Sequence, residues 1–204
     1  MRKELPHFEV GSAYGGSQDW FSSPMMRLGG CAAATVCDCA IYFDLYMGAH
    51  LYPFDPEHVS KRDYVAFSNI MKPYLKPRMT GIDRLEIFID GVDAFLADSG
   101  ERDLRMPPFD NGLPVRKARA VVMRQIDAGC PIPYLNLYHS SRSFKFYEWH
   151  WFLLNGYELW GDTLMVKAVT YGSWNWLDFD ALWETGRTPK GGMILWSRKQ
   201  QENG

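Results

Sequence analysis

Residues 14–37 read YGGSQDWFSSPMMRLGGCAAATVC, and most of what can be expected of the chain follows from them. The first part is a loop by composition: Gly, Ser and Pro24 are interspersed with the aromatics Tyr14, Trp20 and Phe21, so the loop is expected to pack against something. Gly29 and Gly30 then precede Cys31. From Cys31 to Met47 the string CAAATVCDCAIYFDLYM has neither Gly nor Pro and contains four alanines. This predicts a mostly buried helix over 31–47, with the cysteine at its first position.

Working outward, residues 1–30 as a whole are rich in Gly and Ser and read as loop. Residues 55–72 place Pro56 at a first-turn position, followed by Val59, Tyr64, Phe67, Ile70 and Met71 at mixed three- and four-residue spacing, which predicts an amphipathic helix. Residues 81–99 predict another, interrupted at Gly91. Residues 100–114 collect Pro, Gly, Asp and Asn and read as a long surface connection, and 115–128 as a short helix ended by Gly129. From Cys130 the pattern changes. PIPYLNLY (131–138), WHWFLLNGYEL (149–159), TLMVKAVTYG (163–172) and GGMILWSR (191–198) are short apolar and aromatic runs between turn residues, which is strand punctuation. DFDALWE (178–184) adds a helical turn or two. Helices first and strands afterwards predict an α+β domain over 1–204, with a helical half (about 1–128) packed on a C-terminal antiparallel sheet (about 130–204).

Composition narrows the function. The chain has 204 residues, 47% hydrophobic and 23% charged, the balance of a globular domain. Its 22 basic and 24 acidic residues leave a net charge of −2, so no global field draws it to nucleic acid or to an anionic membrane; a small or peptidic partner is expected. Aromatic residues reach 15%, more than a core of this size needs, so some should line a groove or an interface. Cys31, Cys37, Cys39 and Cys130 do not suggest a disulfide scaffold, since three of them crowd into one short stretch. With no apolar run of membrane-span length and no signal-like apolar segment after the first basic residues, a cytoplasmic protein with reduced thiols is expected. No cofactor or metal is expected either. Gly29-Gly30 lacks the lysine of a phosphate loop, and Cys37 and Cys39, two apart on a helix, point about 200° away from each other. His7, His50, His58 and His139 lack metal-site spacing and read as surface or packing residues. Arg116, Lys117, Arg119 and Arg124 read as a solvated helix face.

The chemistry is expected at Cys31. A helix N-terminus offers unpaired N–H groups and the positive end of the dipole, so a thiol there should ionise more easily. The Cys31 N–H together with the Gln18 amide could stabilise an oxyanion on a carbonyl that the sulfur attacks. The base would come from far along the chain: His150 opens an apolar strand between Trp149 and Trp151, whose indoles would limit water access. Tyr147, Trp149, Trp151, Trp160, Trp174 and Trp176 are candidates for groove walls as well as for core. An orienting partner for the imidazole is less obvious. Thr170 could accept its N–H, Asp162 is a loop alternative, and a dyad without a third group is also open.

Gln18, then Gly29-Gly30-Cys31 opening a helix, then a late His150 in a strand that runs into Asn155-Gly156-Tyr157, resembles the papain-like cysteine protease superfamily, and within it the bacterial double-glycine-leader peptidases. RQIDAGCPIPY (124–134) resembles the helix and strand that these proteins place before the His strand. The matched pieces cover about residues 11–45 and 119–183. The resemblance implies a papain-like fold with the site between its two halves, Cys31 as nucleophile, His150 as general base and acid, and Gln18 as oxyanion donor. The superfamily usually has Asn or Asp where this chain reads Val169-Thr170-Tyr171-Gly172. The function expected is cleavage of a peptide or amide bond, or transfer of its acyl group. The alternatives are a catalytically silent peptide-binding module and, further off, a thiol redox or metal-handling protein.

Overall fold

A computed structural model describes residues 1–198. The segment before the cysteine holds more regular structure than its Gly and Ser suggest. It contains β1 (Arg2–Glu4), a hairpin of β2 (Glu9–Val10) and β3 (Ala13–Tyr14), a 3-10 turn at Gln18–Trp20, and a short helix, α1 (Pro24–Gly29). Next, α2 (Cys31–Met47) keeps its expected bounds and is closed by Gly48, whose left-handed φ of 66° lets its N–H reach the Phe43 carbonyl. Most of α2 is buried, which is why its sequence shows no polar stripe.

The second expected helix starts later than Pro56 suggested. The helix α3 (Lys61–Met71) is capped by Ser60, whose hydroxyl accepts from the Asp63 N–H, and residues 55–60 lie outside it. By contrast, α4 (Leu85–Asp98) runs through Gly91 without a break. A Cβ at Gly91 would stand 2.5 Å from the Tyr74 carbonyl oxygen, so the glycine serves close packing and not interruption. The expected surface connection contains two short strands, β4 (Leu104–Arg105) and β5 (Pro108–Asp110). After α5 (Val115–Asp127) come β6 (Ile132–Asn136), a 3-10 turn at Arg142–Tyr147, β7 (His150–Trp160), β8 (Thr163–Thr170) and β9 (Ser173–Asp178). Then α6 (Phe179–Trp183) precedes β10 (Gly191–Ile194) and β11 (Ser197–Arg198). The expected strand at 191–198 is thus two strands, the second paired with β4 in a separate ribbon.

The main sheet is antiparallel, in the order β5-β10-β6-β7-β8-β9, with β1 paired to the later part of β7. The α+β class and the antiparallel sheet stand as expected, but the division into a helical and a sheet half does not. Both β1 and β5 come from the first 128 residues and join the sheet. The long strand β7 organises the rest. Its first half pairs with β6 from Asn136↔His150 to Ile132↔Leu154, its register with β8 shifts between Leu154 and Gly156, and β1 takes over the edge from there.

Alternation along β7 puts helices against both faces. The Trp151 ring stacks on Phe88 of α4 at 4.3 Å and donates its indole N–H to the Ile82 carbonyl at 2.7 Å. Phe152 points the other way, onto Tyr134, which packs against Trp183 of α6. Truncating a fully buried ring such as Trp151 or Trp183 to alanine would cost about 3–5 kcal/mol. One continuous apolar core joins α2, α3 and α4 to the sheet. Among the described residues, no helix is long and apolar enough to cross a membrane.

Candidate active site

The glycine pair lets the chain pack closely where it enters α2. A Cβ at Gly30 would lie 2.3 Å from the Met26 carbonyl oxygen, and one at Gly29 2.7 Å from that of Arg78. Cys31 therefore sits at the first position of α2, directly against α1. It opens onto a cleft of about 390 Å³. Gln18, Leu28 and Met79 line the cleft, as do Phe146, Trp149, His150 and Tyr171 from the sheet side. Three residues far apart in sequence, Gln18, Cys31 and His150, thus share one cleft.

Thr170 completes the group from behind. His150 Nε2 lies 2.7 Å from Thr170 Oγ1. The geometry follows from the register: Val169 pairs with Leu153, so Thr170 falls opposite Phe152 and diagonal to His150 on the same face. A two-residue turn, Tyr171-Gly172, follows directly, with φ of 52° and 68°, and returns the chain to Ser173. Asp162, the alternative partner, sits in the turn beyond Trp160 at the far end of β7, about ten residues or some 30 Å along the strand from His150.

Two residues at the site carry a conformation that their sequence does not announce. Trp149 and Tyr171, with φ of 53° and 52°, are the non-glycine residues with left-handed backbone among those described, and they directly adjoin His150 and Thr170. Such strain costs on the order of 1–3 kcal/mol per residue and concentrates at functional sites. Tyr171 also stacks on the imidazole, 4.9 Å between centroids and 6° from parallel. The one available signal was the Tyr171-Gly172 pair between two apolar runs, which marks a tight hairpin turn.

The aromatic shielding of His150 differs from expectation. Trp151 turns into the core, and the ring is covered by Tyr171 and flanked by Phe146 at 6.4 Å. Of the six aromatics considered for groove walls, Trp149 alone lines this cleft. Tyr147 and Trp151 are core, Trp160 is exposed, and Trp174 and Trp176 lie under Lys167 and Arg2. The His7 side chain and His139 are buried, and His58 pairs with Asp55 at the surface. Arg119 is not purely solvated: it pairs with Asp180 at 2.9 Å.

The electrostatics reverse one expectation. Burial pushes the Cys31 thiol up from its usual range, against the opposing effect of the backbone N–H groups of Trp151, Ala32 and Cys31 itself. Burial also lowers His150 to about 4. The helix N-terminus therefore does not make a thiolate here; desolvation outweighs it, and at neutral pH thiol and imidazole are both uncharged. Among the described residues, no hydrogen bond joins Cys31 to His150 and His150 Nδ1 has no partner. Gln18 is buried, and its amide donates to the Arg27 carbonyl at 2.7 Å, which leaves its second N–H unassigned and ties the 18–20 turn to α1.

Replacing Thr170 with valine removes the acceptor that holds the imidazole. Turnover of an ester or amide is expected to fall about tenfold, the value of one lost buried hydrogen bond, with little change in KM, while Thr170→Ser keeps activity. Equal turnover in wild type and Thr170→Val would remove Thr170 from the site. Among the described residues no group of three or more His, Cys, Asp or Glu is placed to hold a metal ion. All four cysteines are unpaired and buried. Comparison of the chain with protein-family models, with curated proteins and with solved structures finds no match.

Proposed function

We propose that this chain is a thiol acyl-transfer enzyme with a papain-like arrangement, a cysteine peptidase or amidase in which Cys31 attacks the carbonyl of a peptide or amide. The observation that carries the proposal is the pairing of His150 Nε2 with Thr170 Oγ1, which leaves the other imidazole nitrogen free beside the cleft that Cys31 also lines. In the working tautomer Nε2–H donates to Thr170 and Nδ1 accepts the thiol proton as the sulfur bonds to the carbonyl carbon. The oxyanion is held by the Cys31 N–H at the helix start and by the second N–H of Gln18. The C–N bond then breaks, the amine leaves with the proton returned by His150, and water or a second amine resolves the thioester through the same base.

The cleft suggests the kind of acyl group. Leu28, Met79, Phe146 and Trp149 are large apolar side chains left exposed at its walls. Glu148, the acidic residue there, already holds Lys145 and the His139 N–H. A neutral peptide segment with bulky apolar side chains fits these walls. Four unpaired thiols suit a reducing, cytoplasmic setting.

The test is covalent trapping. A peptidyl acyloxymethyl ketone with leucine or phenylalanine next to the ketone is expected to modify Cys31 alone among the four cysteines, as read by peptide mass spectrometry, and to do so faster than its aspartate or lysine counterparts. The uncharged thiol and imidazole, without a bond between them, favour a second reading as a silent peptide-binding module. Binding of the apolar peptide without modification of Cys31 would select that second reading.

A further inference from the structure

Two turns along α2 from Cys31, and so on the same helical face, lies a carboxylate that the proposed chemistry does not use. Asp38 is 5% exposed. Its Oδ1 accepts the Tyr64 hydroxyl at 2.8 Å and the Gly16 N–H at 3.1 Å. Its Oδ2 lies 4.0 Å from His7 Nε2, in a ring that is fully buried and has no hydrogen-bond partner on either nitrogen. Burial holds the Asp38 carboxyl up to about 7, so keeping an ionisable group here works against stability and calls for a reason.

The reason lies in what Asp38 holds. Gly16 is two residues before Gln18, and its carbonyl in turn accepts the N–H of Gly172, at the hairpin turn that follows Thr170. The loop is pressed so closely onto α3 that a Cβ at Gly16 would fall 1.8 Å from Tyr64 Cζ. Asp38, Gly16 and Gln18 also meet Cys31, Thr35 and Thr170 around a small, partly enclosed space of about 10 Å³, room for one water molecule at most. Asp38 thus links the helix that carries the thiol to the loop that carries the amide.

We propose that Asp38 is a positioning residue: its carboxylate holds Gly16, and through it Gln18, at the fixed place relative to Cys31 that an oxyanion donor requires. This rests on the thiol acyl-transfer reading and adds to it a residue that touches neither the substrate nor the sulfur. The resulting expectation is specific, because only chemistry that passes through an oxyanion should depend on Asp38.

The experiment compares two reactions at Cys31. Acylation by p-nitrophenyl acetate forms a tetrahedral oxyanion; alkylation by iodoacetamide, a displacement at saturated carbon, does not. In Asp38→Ala, acylation is expected to fall about 10- to 100-fold, less than the roughly 100- to 1000-fold of an oxyanion donor removed outright, with alkylation within about twofold of wild type. Gln18→Ala should show the same split, and the double variant should be no slower than Gln18→Ala alone, since the two act in series. Asp38→Asn, which keeps an acceptor for the Gly16 N–H, should restore most of the acylation. Tyr64→Phe, which keeps the packed ring and removes one donor to the carboxylate, gives a smaller loss of acylation alone and covers the case in which Asp38→Ala does not fold. Equal losses in both reactions, multiplying losses for Gln18 and Asp38, an Asp38→Asn variant no better than the alanine, or acylation indifferent to Asp38 and Tyr64 would each overturn the positioning role. If wild-type Cys31 is inert to iodoacetamide, the thiol reading itself falls and the positioning role with it.

Discussion

His150→Ala is expected to slow acylation of Cys31 by an activated ester at pH 6 about a thousandfold, within the range that a positioned general base supplies. The size of the effect follows from burial. Desolvation raises the thiol and lowers the imidazole to about 4, so the wild-type site starts uncharged and has little thiolate to react without a base. The imidazole is neutral over the whole range above about pH 5 and can take the proton at the moment the sulfur attacks. Without it, reaction must wait for free thiolate, whose share grows about tenfold per pH unit below the thiol pKa. The loss should therefore be greatest in acid and shrink toward pH 9. Fold is controlled by thermal unfolding, because Tyr171 loses its stacking partner in the variant. A loss that does not change with pH would mean that His150 supports the structure and not the proton transfer.

The second large effect is on stability. Gly16→Ala would place a methyl carbon 1.8 Å from Tyr64 Cζ and 2.0 Å from its hydroxyl oxygen. Tyr64 has nowhere to retreat: it is fully buried, stacks on Phe21 at 6.2 Å, meets Trp20 edge-on, and bonds Asp38 and the Ala34 carbonyl. Overpacking of this kind is expected to cost about 3 kcal/mol, a fall in Tm of roughly 10 °C for a chain of this length. Gly48→Ala is the control. Gly48 has a left-handed φ of 66° but open space around it, so the substitution carries backbone strain alone, about 1 kcal/mol. If the two variants melt together, the loop is not packed against α3 as described.

Much of this was legible in the sequence, and the parts that were not share a cause. The bounds of α2 and the existence of β6, β7 and β8 came from local pattern, because a helix without breakers and apolar runs between turn residues are decided within a few residues. Thr170 as the partner of His150 was also within reach, since antiparallel neighbours joined by a short turn place residues on one face of adjacent strands. By contrast, β1 and β5 are three residues each and extended only because a distant strand pairs with them; β5 even begins with proline, which suits a sheet edge. Likewise β9, SWNWLD, is mostly exposed or half-buried and shows no clear alternation. The start of α3 followed Ser60, a side-chain cap, over Pro56, a backbone preference. At the site, the thiol departs from expectation because the helix dipole can be read from position along the chain, whereas burial belongs to the tertiary structure. Asp38 was hidden for the same reason: an acid in an apolar helix acquires meaning only when Gly16 and Tyr64 are seen to converge on it.

The central claim is that Cys31 and His150 act as one unit, and the most direct measurement is the rate of Cys31 alkylation by limiting iodoacetamide from pH 4 to pH 9, in wild type and His150→Ala, read by peptide mass spectrometry. In wild type the rate should rise through the His150 pKa of about 4, hold a plateau across neutral pH where thiol and neutral imidazole coexist, and rise again as free thiolate forms. His150→Ala should lose the plateau and show only the final rise. Superimposable profiles, or a Cys31 that remains unlabelled at every pH, would contradict the account.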